Sequence, residues 1–159
     1  MNISILLHLA ALTQQPTAVT WPLAGLSSEL TFIAHAESNY GKYLNHAKHI
    51  KGPFDTAFGS LGLKPSTAHD TYIKSPQLRI KFPGLEDKGL FLNRFWRDAQ
   101  LYMHCANFHW YSLRKNTSSL SRAVFSWRWG LTASRAATEV TVDSDPYVVK
   151  YTGMTSAKR

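Results

Sequence analysis

Phe91, Phe95, Ala99, Tyr102, Ala106, Trp110 and Leu113 follow one another at intervals of 4, 4, 3, 4, 4 and 3 residues. That spacing returns each of them to one side of an α-helix, so it predicts a single long helix with an apolar stripe turned to a core. Other elements must cover such a stripe, and the flanking sequence offers helices for it. Ser27 and Ser28 can cap a helix running to Ser38, and Pro65-Ser66-Thr67 opens another through Ile73. Asn116 to Ser119 precede a helix from Leu120 to Trp129 that Gly130 can end, and Asp145-Pro146 starts a last one through Tyr151. Residues 39–56 carry Gly41, Gly52 and Pro53 and read as a loop or small hairpin. Residues 76–84, with Pro76, Pro83 and Gly84, read as a connector. The segment Thr138 to Val142 reads as an extended stretch or a connecting loop. The expected class is mainly α, with a small loop or hairpin lobe.

A chain of 159 residues with 44% hydrophobic and 18% charged residues can bury a core and has a globular composition. The expected organisation is a helical extension over residues 1–24 packed on the domain, a domain over 25–152, and a loose tail over 153–159. Ile3 to Leu12 is apolar enough for the core of a signal peptide. No lysine or arginine precedes it, however, and Lys42 is the first of either kind, which favours a structural helix. Cys105 is the only cysteine, so no intrachain disulfide can form. No apolar run approaches the ~18 residues a membrane span requires. The net charge of +8 draws the protein to polyanions, but the basic residues are dispersed and no nucleic-acid motif accompanies them.

Chemistry is concentrated elsewhere. In the helix before Ser38, Leu30, Ile33 and Glu37 stand at i, i+3 and i+7, which places a carboxylate on an aliphatic face. A carboxyl group held against apolar surface is disfavoured in its charged form, which suits a general acid. Glu37-Ser38 is followed about twenty residues later by Ala57-Phe58-Gly59-Ser60-Leu61-Gly62-Leu63-Lys64-Pro65-Ser66-Thr67-Ala68, and later by Ala123-Val124-Phe125-Ser126-Trp127-Arg128-Trp129-Gly130. In this order the three segments resemble the lytic transglycosylases of the goose-type lysozyme fold. Those enzymes usually carry Glu-Ser, then Gly-Leu-Met-Gln-(apolar)-Met-Pro-x-Thr-Ala, then Ala-Tyr-Asn-x-Gly or Tyr-Arg-Trp-Gly. The resemblance covers residues 25 to 150. It departs from the pattern at Gly62 in place of glutamine, Lys64 in place of methionine and Trp127 in place of tyrosine.

The resemblance implies a lysozyme-like helical domain acting on peptidoglycan, at the bond between N-acetylmuramic acid and N-acetylglucosamine. Glu37 would be the catalytic acid and then the base. Ser38, Gly59, Ser60, Leu61, Gly62 and Trp127 would line the substrate site, with the backbone near Gly59 to Leu63 holding N-acetyl groups. No cofactor or metal is implied, and His46 and His49 find no second pair of ligands at zinc spacing. Two other readings stay open. One is a hydrolytic lysozyme on the same fold, with Asp55 as a possible second carboxylate, though a turn-capping role for Asp55 is the simpler account. The other is a non-catalytic basic wall-binding protein. The setting implied is the bacterial wall, reached by a phage virion or lysis protein or by export to the envelope. Sequence alone leaves the oligomeric state open.

Overall fold

The computed structural model describes residues 26–38, 52–57 and 59–156. The proposed N-terminal extension over 1–24 and most of the loop or hairpin lobe over 39–56 lie outside the described residues. Of those described, 73% are helical and none belongs to a β-strand, so the chain is mainly α. Nine helices are present among them: α1 (Ser28–Ser38), α2 (Pro65–Lys74), α3 (Pro76–Lys81), α4 (Lys88–Phe95), α5 (Ala99–Asn116), α6 (Leu120–Trp129), α7 (Leu131–Ala136), α8 (Glu139–Ser144) and α9 (Pro146–Ser156).

Most of these helices start where a short polar side chain can accept from an orphan N–H of the first turn. Asp87 takes the N–H of Leu90 at 3.0 Å, Asp98 that of Leu101 at 3.1 Å, and Ser119 that of Arg122 at 3.1 Å. Ser27 receives Leu30 N–H at 3.3 Å, which fixes the start of α1. Asp145 Oδ1 accepts from both Tyr147 and Val148, at 2.9 and 3.2 Å, and so launches α9 behind Pro146.

The predicted unbroken helix is two. The apolar stripe is continuous, and Phe91, Phe95, Tyr102, Ala106, Trp110 and Leu113 are all buried. The backbone breaks at residues 96–98, because Asp98 caps a new helix there while Arg94 reaches it in an ion pair of 2.9 Å. Periodicity carried across a short break is indistinguishable from periodicity within one helix. Three further expectations need correction. Pro76 to Lys81 is helical and not a connector, since Pro in the first turn costs no hydrogen bond. Thr138 caps a helix at Thr141 N–H, and Val142 is buried beneath it, so the segment from Thr138 to Val142 is not extended. Helix α9 continues past Gly153 to Ser156, so residues 153–156 are helix and not a loose tail.

Two helices organise the packing. α5 meets α2, α4 and α6, while α6 meets α5, α7, α8 and α9; α1 lies against α9. Phe91, Phe95 and Tyr102 run ring to ring, with centroids 5.5 and 5.1 Å apart. The loop after α3 is tied to α2 by Tyr72, whose hydroxyl donates to Phe82 O at 2.8 Å and accepts from Leu85 N–H at 3.2 Å. Arg122 performs the same service for the C-terminal helices. It donates to the carbonyls of Ser134 and Ala137 and pairs with Glu139 at 2.6 Å. Charge-assisted bonds to several carbonyls hold a turn better than an exposed ion pair does.

Candidate active site around Glu37

Helix α1 buries Leu30 and Ile33 completely, and the Glu37 side chain shares their protection, being 8% exposed. A carboxyl group is seldom placed there unless other polar groups attend it. Three helices supply them. Arg128, at the end of α6, brings a guanidinium nitrogen to 3.7 Å from Glu37 Oε2. Tyr147, in the first turn of α9, has its hydroxyl pKa raised well above the ordinary value, by burial first and then by the Glu37 carboxylate beside it. Tyr147 Oη makes no well-formed hydrogen bond among the described residues.

Tyr102 on α5 is the third. Burial raises its hydroxyl pKa most, the N–H groups of Leu61 and Leu63 act in the opposite sense, and the charge of Glu37 raises it further. Leu61 N–H donates to Tyr102 Oη at 3.2 Å. The turn that carries Leu61 is closed by Gly62 N–H donating to Gly59 O at 3.2 Å, with φ of +71° at Gly59 and +59° at Gly62. Gly59 has a second reason to lack a side chain. A Cβ there would stand 2.7 Å from Tyr102 Oη, inside van der Waals contact.

The remaining sequence-assigned residues fall around this turn. Trp127 Nε1 donates to Leu61 O at 3.1 Å, and its ring packs edge-on to Trp110 at 6.1 Å and tilted against His109 at 5.3 Å. Leu61 therefore has its N–H and its carbonyl both engaged within the protein, and its side chain is fully buried. Ser60 is buried as well, whereas Gly62 and Trp127 remain half-buried. Ser38 ends α1, and its side chain lies outside what is described. Asp55 is half-buried in a turn of its own, its N–H donating to Gly52 O at 3.3 Å.

The structure thus brings Glu37, Gly59, Leu61 and Trp127 into one neighbourhood, through Tyr102 and Arg128 as intermediaries. Tyr102 and Tyr147 were invisible as site residues in the sequence. The first is part of an apolar stripe, in which the polar end of the phenol does not register. The second carries no periodic signal and arrives only because α9 packs on α1 and α6. Arg128 lay within a recognised segment but without a role.

Other features have different characters. Burial pushes the Cys105 thiol up to about 12, which removes it as a nucleophile at neutral pH. An open pocket of about 590 Å³ is lined by Glu29, Trp110, Tyr111 and Arg114, among others, at the opposite end of α1 from Glu37. Its carboxylate already receives Trp110 Nε1 at 2.7 Å and Arg114 at 3.2 Å, so it serves as a joint between α1 and α5. Among the described residues no group of three or more His, Cys, Asp or Glu is placed to hold a metal ion. No described helix is long and apolar enough to cross a membrane. No protein-family model, curated protein or solved structure matches the chain.

Proposed function

We propose that this protein is a peptidoglycan lytic transglycosylase with a lysozyme-like helical domain, and that Glu37 is its acid and base. One observation carries the reading. Three segments far apart in sequence are linked in space: Arg128 stands 3.7 Å from the Glu37 carboxylate, its neighbour Trp127 donates to Leu61 in the Gly59 to Leu63 turn, and Leu61 donates to Tyr102, whose hydroxyl feels the charge of Glu37. They are the same three segments that resemble the family, and a purely compositional likeness gives no reason for them to meet.

In this reading Glu37 gives its proton to the glycosidic oxygen as the bond to C1 of the muramyl residue breaks. The resulting carboxylate then takes the proton of the muramyl 6-hydroxyl, whose oxygen attacks C1 and closes a 1,6-anhydro ring. The carboxyl is restored at the end of the cycle, and no second carboxylate is required, in contrast to the two-carboxylate scheme. Tyr147 suits the intermediate stage. Its raised pKa keeps the hydroxyl protonated, so it can donate to Glu37 while the carboxylate is charged.

The turn at Gly59 to Gly62 acts here as the joint that holds Tyr102 and Trp127 beside the acid. The half-buried Gly62 and Trp127 are the parts of it open to a sugar. The substrate places the protein at the bacterial wall, in a phage particle, a lysis system or the envelope. Product mass is the test. Purified peptidoglycan incubated with the protein should yield muropeptides ending in the anhydro form, lighter by one water than reducing ends. Reducing ends alone would replace the transglycosylase by a hydrolase, and no soluble product would remove the enzymatic reading.

A further inference from the structure

Arg128 is arranged to do more than neutralise Glu37. Its nearest nitrogen is 3.7 Å from the carboxylate, beyond the 2.7–3.2 Å of a formed N–H···O bond. The pair is therefore a loose electrostatic one that leaves the donors of the guanidinium available. The two partners also differ in access, with Glu37 8% exposed and Arg128 48%. Behind the guanidinium are two rings, Trp129 at 5.5 Å and Tyr147 at 5.8 Å from its central carbon. Trp129 is itself held in place by donation from Nε1 to Asp145 Oδ2 at 2.9 Å, although it is 53% exposed. A guanidinium backed by aromatic faces, with its planar fork partly open to solvent, is a receptor for a carboxylate.

We propose that Arg128 recognises a carboxylate of the substrate beside the scissile bond, and so selects muramyl-containing strands over neutral chitin-like ones. This rests on the reading of Glu37 as the acid of a muramyl-cleaving enzyme. Muramyl strands offer that group from two sources. The lactyl ether ends in a free carboxylate once the stem peptide has been removed, and the stem peptide carries carboxylates of its own. Either would form a bidentate pair with Arg128 and compete with Glu37 for it. The overall charge of +8 assists by attracting the anionic strand from a distance.

The test measures binding and turnover separately. Calorimetry in a Glu37→Gln background, which prevents consumption of the ligand, compares three soluble glycan strands: peptide-stripped, peptide-stripped with the lactyl carboxylates converted to methyl amides, and peptide-bearing. With Arg128 present, amidation should weaken binding by about tenfold or more, as loss of a charge-assisted pair does. Arg128→Gln should reduce that discrimination to nearly nothing, and Arg128→Lys should restore part of it. If the peptide-bearing strand is bound more tightly than the stripped one in an Arg128-dependent manner, the recognised carboxylate is that of the stem peptide. If Arg128→Gln binds every strand as its parent does, the proposal is overturned. Turnover by the chain with Glu37 intact distinguishes the two levels. Anhydro products with no effect of Arg128→Gln on KM or kcat would leave the enzyme and discard the receptor. Arg128-dependent binding without any product would keep the receptor and discard the enzyme.

Discussion

Trp127 Nε1 donates to the carbonyl of Leu61 at 3.1 Å, across 66 residues of chain. Leu61 N–H donates in turn to Tyr102 Oη, so one residue on a glycine turn fastens α6 to α5. Trp127→Phe keeps the ring and removes the donor. With the carbonyl left short of its partner in a largely buried place, the protein should lose about 1–3 kcal/mol of stability. Urea unfolding should show a lower midpoint at an unchanged slope. An unaltered midpoint would mean that water replaces the indole without cost.

Glu37→Gln is nearly isosteric and cannot deliver a proton. The variant should fold and melt close to the parent, since the amide can still occupy the half-polar niche between α1, α6 and α9. Turnover of peptidoglycan should fall by about 10²–10⁴, the usual contribution of a positioned acid or base. Zymography beside a thermal melt reads both quantities, and retained lysis would sink the assignment.

Gly59→Ala and Gly84→Ala form a matched pair. Both glycines have positive φ, +71° and +80°, but a Cβ at Gly84 meets nothing within 4 Å, whereas one at Gly59 meets Tyr102 Oη at 2.7 Å. Gly84→Ala should therefore cost only the backbone strain, about 1–2 kcal/mol. Gly59→Ala should cost a further ~1–3 kcal/mol from the clash, because Tyr102 is packed on all sides. Chemical denaturation of the two variants measures the difference, and equal losses would show that Tyr102 yields freely.

His109 should make the fold sensitive to acid. Burial lowers its pKa from 6.5 to about 4, with Lys74 acting in the same sense and Asp70 opposing. The unfolded chain therefore takes up the proton first as pH falls. Burying the neutral ring costs nothing above pH ~6.5, and stability falls progressively as pH drops from there to about 4. His109→Gln should flatten the dependence of stability on pH in that window relative to the parent, the carboxylates being common to both. Parallel curves would place the sensitivity elsewhere.

Asp55→Asn separates the two glycosidase mechanisms. If Glu37 performs both proton transfers, the substitution should cost no more than a few-fold in rate, about 1 kcal/mol or less in the barrier. Products formed in oxygen-18 water should then carry no label. If Asp55 positions water, its loss should cost at least ~100-fold, and the reducing ends should be labelled.

The heptad-like stripe from Phe91 to Leu113 determined, by itself, that the protein is helical, and the capping residues Ser27, Ser119 and Asp145 marked where helices begin. These signals are legible because a helix and its cap are made by residues within one or two turns of each other. The burial of Glu37 was legible for the same reason, since Leu30 and Ile33 share its face. What only tertiary structure decided is the company that Glu37 keeps. Tyr102, Arg128 and Tyr147 lie 65, 91 and 110 positions away and reach it through the packing of α5, α6 and α9. The break at Asp98 was equally hidden, because the stripe keeps its phase across it. Local rules report which face a side chain occupies; a site is made where faces of separate helices meet, and no spacing within a single helix encodes that distance.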